Sequence, residues 1–537
     1  MDRLEATLLL PICVLLGAFL VSNWRSNITR KLPPGPRGWP LIGNLLDIPA
    51  KHPWKICVEW AQKYDSDVLS LRIPGATLVV LNKLEDIQEL FGKRSVLYSD
   101  RPQPTIFDIM KADRMMSSQN YGERFKRTII DFVPTRHLDI NTSPTGSRKL
   151  FKQQFDTPDL ITYRHSHLLA ASRRLLIRLL RTKDHKKDIH LTSGEAIMSV
   201  TYGIVPKDSD DYYFKLVREM TKFIADVIAR EDFLVDAMPI FKHLPAWFPG
   251  STYKKKAAYG TRLLDEVIKQ PFEFVRNEMR KGTAVPAVCS HFLGSLDDHG
   301  LEEDELIDEW RNTFGLAFFA GYDPTANAAC SFILAMLLYP DVQKKAQAAI
   351  DATLHNTGRL TPTFADQIPY IDALIAELLR WNPVTPLGAF HRLNADDFYK
   401  GYVIPEGAVI APNLWAVTHD KEIYGMDVDD LRPERFLNPD QDELNEELCG
   451  VMDAAFGFGR RSCAGRVFAK EYLWTVITSV LSVYDIVDGS DELGQPLDKR
   501  TVEYSSDLVS LPPHIKCKFK LRSGISECMI RDVAGDI

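Results

Sequence analysis

The sequence predicts a mainly α-helical fold with a minor β component, built as one large globule behind an N-terminal transmembrane helix. Three observations lead to this prediction: an apolar run at the N-terminus, several long segments with helical hydrophobic spacing, and one clear hairpin signal. The chain has 537 residues, 45% apolar and 26% charged, which suffices for a large buried core. This composition excludes a disordered chain, a collagen-like repeat and a disulfide-stabilised miniprotein.

The N-terminal apolar run covers residues 4–21. About 18 helical residues at about 1.5 Å each span roughly 27 Å, enough for a hydrocarbon core. An interfacial tryptophan and basic residues follow it: Trp24, Arg25, Arg30, Lys31 and Arg37. Because positive charge stays on the cytosolic side, we expect residues 1–24 to be a single-pass anchor with the rest of the chain in the cytosol. A cleaved signal peptide is the alternative.

Residues 25–45 are expected to form a proline-rich hinge. Prolines fix φ and lack an amide donor, so residues 32–40 favour a stiff extended strap over a helix or a central strand. A proline-rich ligand for a partner protein is the alternative, although Leu41 and Ile42 are apolar and favour burial. The globule is expected to cover residues 46–524, followed by a tail at 525–537.

The elements of the globule follow from local patterns. Residues 69–73 and 77–81 flank Pro74-Gly75 and are rich in aliphatic and β-branched side chains, which predicts a hairpin. Helical spacing predicts helices at 168–180, 212–228, 259–279 and 340–352. Residues 244–250 form a proline-bounded aromatic loop.

The longest predicted helix covers residues 302–339 and ends before Pro340. A second membrane span is the alternative, because its second half is almost wholly apolar. Asp323 and Asn327 argue against it, since a charge at the centre of a bilayer costs at least about 2.5–3.5 kcal/mol. We therefore expect a helix that runs through the centre of the globule.

Charge and cysteine spacing exclude several functions. A net charge of −7 offers no overall basic surface for nucleic acid. The eight cysteines contain no C-x-x-C pair, which excludes a zinc ribbon and a thioredoxin-type site.

Residues 456–465, with the sequence FGFGRRSCAG, indicate the chemistry. By default a lone cysteine such as Cys463 is a small buried hydrophobe. Here glycines allow close backbone approach to the sulfur, and two arginines favour the thiolate. Such a thiolate suits the axial position on haem iron, where it promotes O–O cleavage.

The segment resembles the haem-binding loop of the cytochrome P450 family, F-x-x-G-x-R-x-C-x-G. All five fixed positions match: Phe456, Gly459, Arg461, Cys463 and Gly465. The resemblance implies the P450 fold, with the long helix over the haem. It also implies haem b as the cofactor, Cys463 as the iron ligand, and Phe456, Arg461 and Gly465 as cofactor contacts.

Further motifs extend the resemblance over most of the chain. Residues 377–380 match the family's E-x-x-R motif, and residues 433–436 match its P-E-R-F box. The family then implies a buried charged cluster of Glu377, Arg380 and Arg435 behind the haem, and places His391 and Arg461 on haem propionates. The anchor and strap are similar to those of microsomal members, which implies the endoplasmic reticulum membrane. The overall pattern is most similar to basidiomycete members of secondary metabolism.

The first departure from the family lies in the long helix, which contains Asp323, Pro324 and Thr325. The family has a threonine at the position of Pro324, and its hydroxyl helps to deliver protons to oxygen. We expect Asp323 to relay protons through water, Thr325 to turn toward the site, and Pro324 to open the oxygen groove through a kink. A purely bending role for Pro324 is equally open.

The second departure is an apparent insertion at residues 129–147. The family's W-x-x-x-R motif, whose arginine contacts a propionate, is represented by Phe125 and Arg148 once these residues are removed. The segment is rich in helix-breaking residues and is close in length to a short fungal intron, so we expect retained non-coding sequence. A genuine surface loop is the alternative.

The chain contains no flavin or nicotinamide motif, so its electrons must come from another protein. The resemblance implies NADPH–cytochrome P450 reductase, with cytochrome b5 as a further donor. A basic docking face is expected at Lys126, Arg127, Lys149, Lys152 and Arg460, with solvated surface charge as the alternative. By family position an apolar, terpenoid-type substrate would contact Ile106, Phe107, Met110, Phe314, Phe318 and Leu387.

These features predict a haem-thiolate monooxygenase. Two alternatives remain: a haem-binding but catalytically impaired protein, and an enzyme that rearranges its substrate without adding oxygen.

Overall fold

The computed structural model describes residues 31–40, 42–73, 75–122, 158–228, 252–299, 304–489 and 502–535. The anchor expected at 1–24, the insertion at 129–147 and the aromatic loop at 244–250 lie outside these ranges. Within the described part of the chain, no single helix has the length and apolarity of a membrane span, and only a bent pair, Ile307–Leu338 with Pro340–Leu354, meets the criterion jointly.

Helices dominate the described residues. They are α1 (Pro53–Tyr64), α2 (Leu84–Ile87), α3 (Thr105–Ile109), α4 (Pro158–Leu179), α5 (His185–Tyr202), α6 (Tyr212–Ile228), α7 (Thr252–Lys281), α8 (Val288–His299), α9 (Asp304–Leu338), α10 (Pro340–Leu354), α11 (Pro369–Trp381), α12 (Leu414–Thr418), α13 (Lys421–Tyr424), α14 (Glu446–Met452), α15 (Arg466–Val483) and α16 (Glu527–Gly535). The helices predicted around 168–180, 212–228, 259–279, 302–339 and 340–352 correspond to α4, α6, α7, α9 and α10.

The described residues also form three small sheets. The strands are β1 (Val68–Ile73), β2 (Ala76–Leu81), β3 (His391–Arg392), β4 (Asp397–Tyr399), β5 (Tyr402–Ile404), β6 (Val409–Pro412), β7 (Tyr484–Asp488) and β8 (Cys517–Leu521). The largest sheet has the order β1-β2-β6-β3, in which only the β2–β6 pair is parallel. The predicted hairpin is confirmed as β1 and β2, with Val68 opposite Leu81. The pairs β4–β5 and β7–β8 are antiparallel.

Helix α9 forms the axis of the core. It packs against α5, α7 and α15. Four of its apolar side chains have no exposed surface: Phe314, Phe318, Phe332 and Met336. A helix that is apolar on all sides is stable only when other elements cover it on all sides. The helix is continuous through Pro324.

The proline-rich strap lies along the edge of β1. The hydroxyl and the amide of Ser70 donate to the carbonyls of Pro33 and Pro34, over 2.6 and 2.9 Å. Further along, the amide of Arg72 donates to the side chain of Asn44 over 2.8 Å. The strap therefore pairs locally with the sheet without becoming a regular strand.

Residues 525–537, which were expected to form a tail, contain α16. Its Ile530 has no exposed surface, and α16 packs against α4.

Candidate active site

The loop before α15 presents the thiol of Cys463. Two short 3₁₀ turns, Asp453–Phe456 and Gly459–Arg461, shape this loop, and α15 begins at Arg466. The amide of Cys463 donates to the carbonyl of Phe456 over 2.6 Å, which fixes the backbone at the cysteine. The Cys463 side chain is exposed, so its sulfur is accessible to a ligand.

Gly459 sets the position of this loop against the rest of the protein. Its φ of 55° lies in the left-handed region, where a side chain is unfavourable. A Cβ at this position would also overlap the carbonyl oxygen of Phe91, in the π-helical turn Gln88–Lys93. Two independent constraints therefore require glycine here.

Three basic side chains, Arg101, His391 and Arg461, lie close together beside the loop. Burial lowers the pKa of Arg101 to about 10, and burial together with the charge of Arg101 lowers the pKa of Arg461 to about 9. Burial and the two guanidinium groups lower the pKa of His391 well below its ordinary value. The guanidinium groups donate to the backbone carbonyls of Ser99, Met116, Ser117, Gln119, Ala389 and Phe390. An anionic group placed among the three side chains would relieve the repulsion between the two guanidinium groups and would favour protonation of His391.

The orientation of His391 is fixed from both faces. Its Nδ1–H donates to the carbonyl of Tyr98 over 2.6 Å, and its ring stacks on Phe91 with centroids 3.9 Å apart. Since a carbonyl only accepts, the hydrogen of the neutral imidazole is on Nδ1, and Nε2 must be protonated as well before it can donate to a carboxylate.

The structure brings Glu377, Arg380 and Arg435 together in one buried cluster. Arg380 donates two hydrogen bonds to the Glu377 carboxylate, over 2.6 and 2.8 Å, and neither side chain is exposed. Arg435 lies 3.5 Å from the same carboxylate and also contacts Asp427. Because buried charges are tolerated only when paired and hydrogen-bonded, this cluster locks α11 to the segment that follows α13.

The three predicted catalytic positions of α9 have different surroundings. The Thr325 hydroxyl is buried, donates to the carbonyl of Gly321 and lies 3.1 Å from the hydroxyl of Ser193 on α5. Partners on α5 and α9 therefore hold the Thr325 hydroxyl, and its expected turn toward the site stays a prediction. Burial raises the pKa of Asp323 to about 6. Pro324 is half-buried.

Comparison with known proteins identifies the family. The sequence profile described as cytochrome P450 matches residues 33–519. The chain belongs to the cytochrome P450 family. It is similar to three fungal P450s described as monooxygenases. One is eriA of Hericium erinaceus, 40% identical over 96% of this chain and 94% of the relative. The others are monooxygenase 208 of Postia placenta (34%, covering 99% and 98%) and claR of Ampulloclitocybe clavipes (35%, covering 97% and 91%).

The residues present fit the cofactor of this family. P450 proteins bind haem b with a cysteine thiolate as the axial iron ligand, and the exposed sulfur of Cys463 stands at that position of the motif. Haem carries two carboxylates, and the guanidinium groups of Arg101 and Arg461 would provide the positive charge that carboxylates require, with His391 as a further donor once a carboxylate beside it favours protonation of Nε2. Phe456 and Gly465 flank the cysteine in the same loop.

Arg101 was not identified from the sequence. It precedes Pro102, outside the motifs that carry the family resemblance, and it donates to two carbonyls of distant residues, Ala389 and Phe390. Only the folded chain brings Arg101 to Arg461, so no local pattern marks it.

The residues predicted to contact substrate fall into two groups. Ile106, Phe107 and Met110 belong to α3 and its C-terminus, and Met110 packs against α7 at Gly260. Phe314 and Phe318 are fully buried, and their rings pack edge-on against Tyr202 of α5.

Leu387 is half-buried. The assignment of all six residues to the substrate pocket stays a prediction.

Several predicted residues lie outside the described ranges. These are Phe125, Arg148 and the docking residues Lys126, Arg127, Lys149 and Lys152. Of the predicted docking face, Arg460 is described: it donates to the Ser95 hydroxyl over 3.0 Å and lies over the Tyr121 ring.

Proposed function

We propose that this P450 is a haem-thiolate monooxygenase that inserts one oxygen atom from O2 into an apolar small molecule of fungal secondary metabolism, with a terpenoid as the expected class. The observation that carries the proposal is the exposed Cys463 thiol beside a cluster of three basic side chains. Relatives described as P450 monooxygenases support it over nearly the full length of the chain.

Haem, when bound, supplies the iron on which oxygen is activated. The chain's own residues position that cofactor: Cys463 provides the thiolate, and Arg101, His391 and Arg461 hold its carboxylates. Helix α9 covers the site with apolar residues that exclude water and favour an apolar substrate. Asp323 supplies protons, because an acid with a pKa near 6 exchanges them readily at neutral pH.

Electrons are proposed to come from NADPH–cytochrome P450 reductase, with cytochrome b5 as a second donor. We place the protein in the endoplasmic reticulum membrane through residues 1–24, with residues 46–524 as the cytosolic catalytic domain.

The test is the carbon monoxide difference spectrum of the reduced full-length chain, together with Cys463→Ser and the matched control Cys449→Ser, a half-buried cysteine near the same loop. We expect a thiolate-type Soret band in the native chain and in the control, and its loss in Cys463→Ser. A thiolate-type band that persists in Cys463→Ser would rule out the ligand assignment. A native chain without the band would point to residues 129–147, and the same spectrum on a chain lacking them would show whether they prevent haem binding.

A rearrangement without oxygen insertion is the second candidate. It is favoured by Pro324 at the family's threonine position and by a Thr325 hydroxyl that already has other partners. Product analysis under ¹⁸O2 separates the two, because only the monooxygenase places labelled oxygen in the product.

A further inference from the structure

His190 lies beside the part of α9 where the family's proton-delivering hydroxyl is missing. It belongs to α5, and its Nδ1 is 3.2 Å from the Tyr322 hydroxyl and 3.9 Å from a carboxylate oxygen of Asp323. The imidazole thus contacts one α9 residue and approaches the next. Its side chain is 16% exposed, so it lies near the protein surface without being open to it.

Two buried polar atoms near this contact have no hydrogen-bond partner among the described residues. They are Nε2 of His190 and the side-chain oxygen of Asn327, one turn along α9 from Asp323. The Asn327 side chain is nevertheless close enough to raise the pKa of His190. A buried polar atom left without a partner costs about 1–3 kcal/mol, and an ordered water with several polar neighbours removes that cost. One water between Nε2 of His190 and the Asn327 oxygen would satisfy both atoms.

Ala320 of α9 is exposed, its neighbours Phe319 and Gly321 are half-buried, and residues 314–318 are buried. Open space therefore reaches α9 at this residue. Pro324 has no amide hydrogen to donate to the carbonyl of Ala320, so that carbonyl lacks its usual helical partner. Asp323 lies about one helical turn after Ala320 and 3.9 Å from Nδ1 of His190.

We propose that His190 is a proton relay residue of this enzyme, taking a proton from water at Nε2 and passing one from Nδ1 to Asp323, in place of the hydroxyl absent at Pro324. This inference rests on the proposed function. His190 acts through Asp323 and is a positioning residue that does not itself touch substrate or cofactor.

The proton balance is simple. A proton from solvent adds at Nε2, and the imidazolium that forms gives its Nδ1 proton to the Asp323 carboxylate, so one proton moves from solvent to Asp323. The imidazole is left with its hydrogen on Nε2, and proton exchange with water returns the hydrogen to Nδ1 before the next transfer. Monooxygenation consumes O2, two electrons and two protons and releases one water. The electrons come from the reductase, and the protons follow this route. The separation of 3.9 Å must close to hydrogen-bond length, as catalytic contacts in ligand-free structures commonly do.

The ionisation of the two groups agrees with this role. Burial lowers the pKa of His190 to about 4 and raises that of Asp323 to about 6, so at pH 7 the imidazole is neutral and the carboxylate can accept a proton. The charged groups nearby are Asp184 and Lys186 at the start of α5, and Arg218 of α6 on the side of Tyr322.

The experiment uses the full-length haem-loaded chain in membranes with its reductase, and compares His190→Gln with the control His185→Gln on the same helix. NADPH-driven oxygen uptake is measured in H2O and D2O. Peroxide-driven oxidation of guaiacol is the internal reference, because hydrogen peroxide already brings two electrons and two protons. We expect His190→Gln to slow oxygen uptake by about 10- to 100-fold with a larger solvent isotope effect, while its peroxide-driven rate matches that of the control.

A second measurement does not depend on turnover. Deuterium uptake at the imidazole Cε1 of each histidine, followed by mass spectrometry, reports whether water reaches His190. We expect His190 to exchange at a rate comparable with His185.

Three outcomes overturn the inference. They are oxygen uptake in His190→Gln equal to that of the control, equal loss of the NADPH-driven and peroxide-driven rates, and a His190 that does not exchange. A native chain without a thiolate band or oxygen uptake would instead refute the proposed function itself.

Discussion

Replacing Glu377 with glutamine should strongly destabilise the fold without changing its shape. The Glu377 carboxylate accepts two hydrogen bonds from Arg380 and one from the amide of Arg432, over 2.7 Å, and lies 3.5 Å from Arg435. Glutamine has the same size but no charge, so two buried guanidinium groups would lose their shared counter-ion. Removing one partner of a buried ion pair costs about 3–5 kcal/mol, a large part of the roughly 5–15 kcal/mol that stabilises a typical protein.

The assay is urea unfolding followed by tryptophan fluorescence. With an m value of about 3 kcal/mol per molar, the expected loss lowers the midpoint by about 1–1.7 M. Glu422→Gln is the matched control, because that carboxylate pairs with Lys83 at the surface and is 84% exposed, so its replacement should have little effect. If Glu377→Gln unfolds at the same urea concentration as this control, the cluster does not stabilise the fold as we argue.

Three further substitutions test the site and the core. Gly459→Ala should abolish the thiolate-type band, because the added methyl group would overlap the Phe91 carbonyl. The control is Gly358→Ala, at a φ of 69° with no atom within 4 Å, which should cost only backbone strain of about 1–2 kcal/mol. Equal carbon monoxide difference spectra for the two variants would contradict the steric argument. Arg101→Gln should lower haem affinity by about 10- to 150-fold, because one charge-assisted contact to a carboxylate contributes about 1.5–3 kcal/mol. The measurement is the rate of haem transfer to apomyoglobin, which should rise, and an unchanged rate would remove Arg101 from the site. Burial raises the pKa of Asp372 from 3.8 to about 6, so the folded chain binds an extra proton between these values and stability falls as pH rises through them. Asp372→Asn should therefore be more stable than the native chain at pH 7, by about 1–3 kcal/mol, and equal to it below pH 4; urea midpoints across this range test the sign.

The parts of the molecule that could be predicted from the sequence are those determined by residues that are close together in the chain. The hairpin β1–β2 and the long helix α9 follow from local periodicity, and Cys463 is marked by glycines and arginines within ten residues of the loop. Glu377 and Arg380 are one helical turn apart, so a single motif marks both.

What could not be predicted depends on contacts between distant segments. The orientation of Thr325 is set by Ser193, which precedes it by 132 positions. The neighbours of Arg101 come from the segment before β3 and from the cysteine loop. Likewise, nothing near His190 in the sequence suggests that it meets Tyr322 and Asp323.

The strap along β1 has a mechanical consequence. The amide of Val403 in β5 donates to the carbonyl of Lys31 over 2.8 Å, and Ser70 and Arg72 hold the next part of the strap. A pull on the chain from before Lys31 is thus resisted by hydrogen bonds to two separate sheets. The hydrogen bonds between the strap and β1 would be loaded together in shear, because the strap runs along the strand. Because the strap is fixed at several points, a force applied from the N-terminal side would move the globule as one rigid body. The strap would then set the tilt of the globule, which could not rotate freely about a single flexible residue.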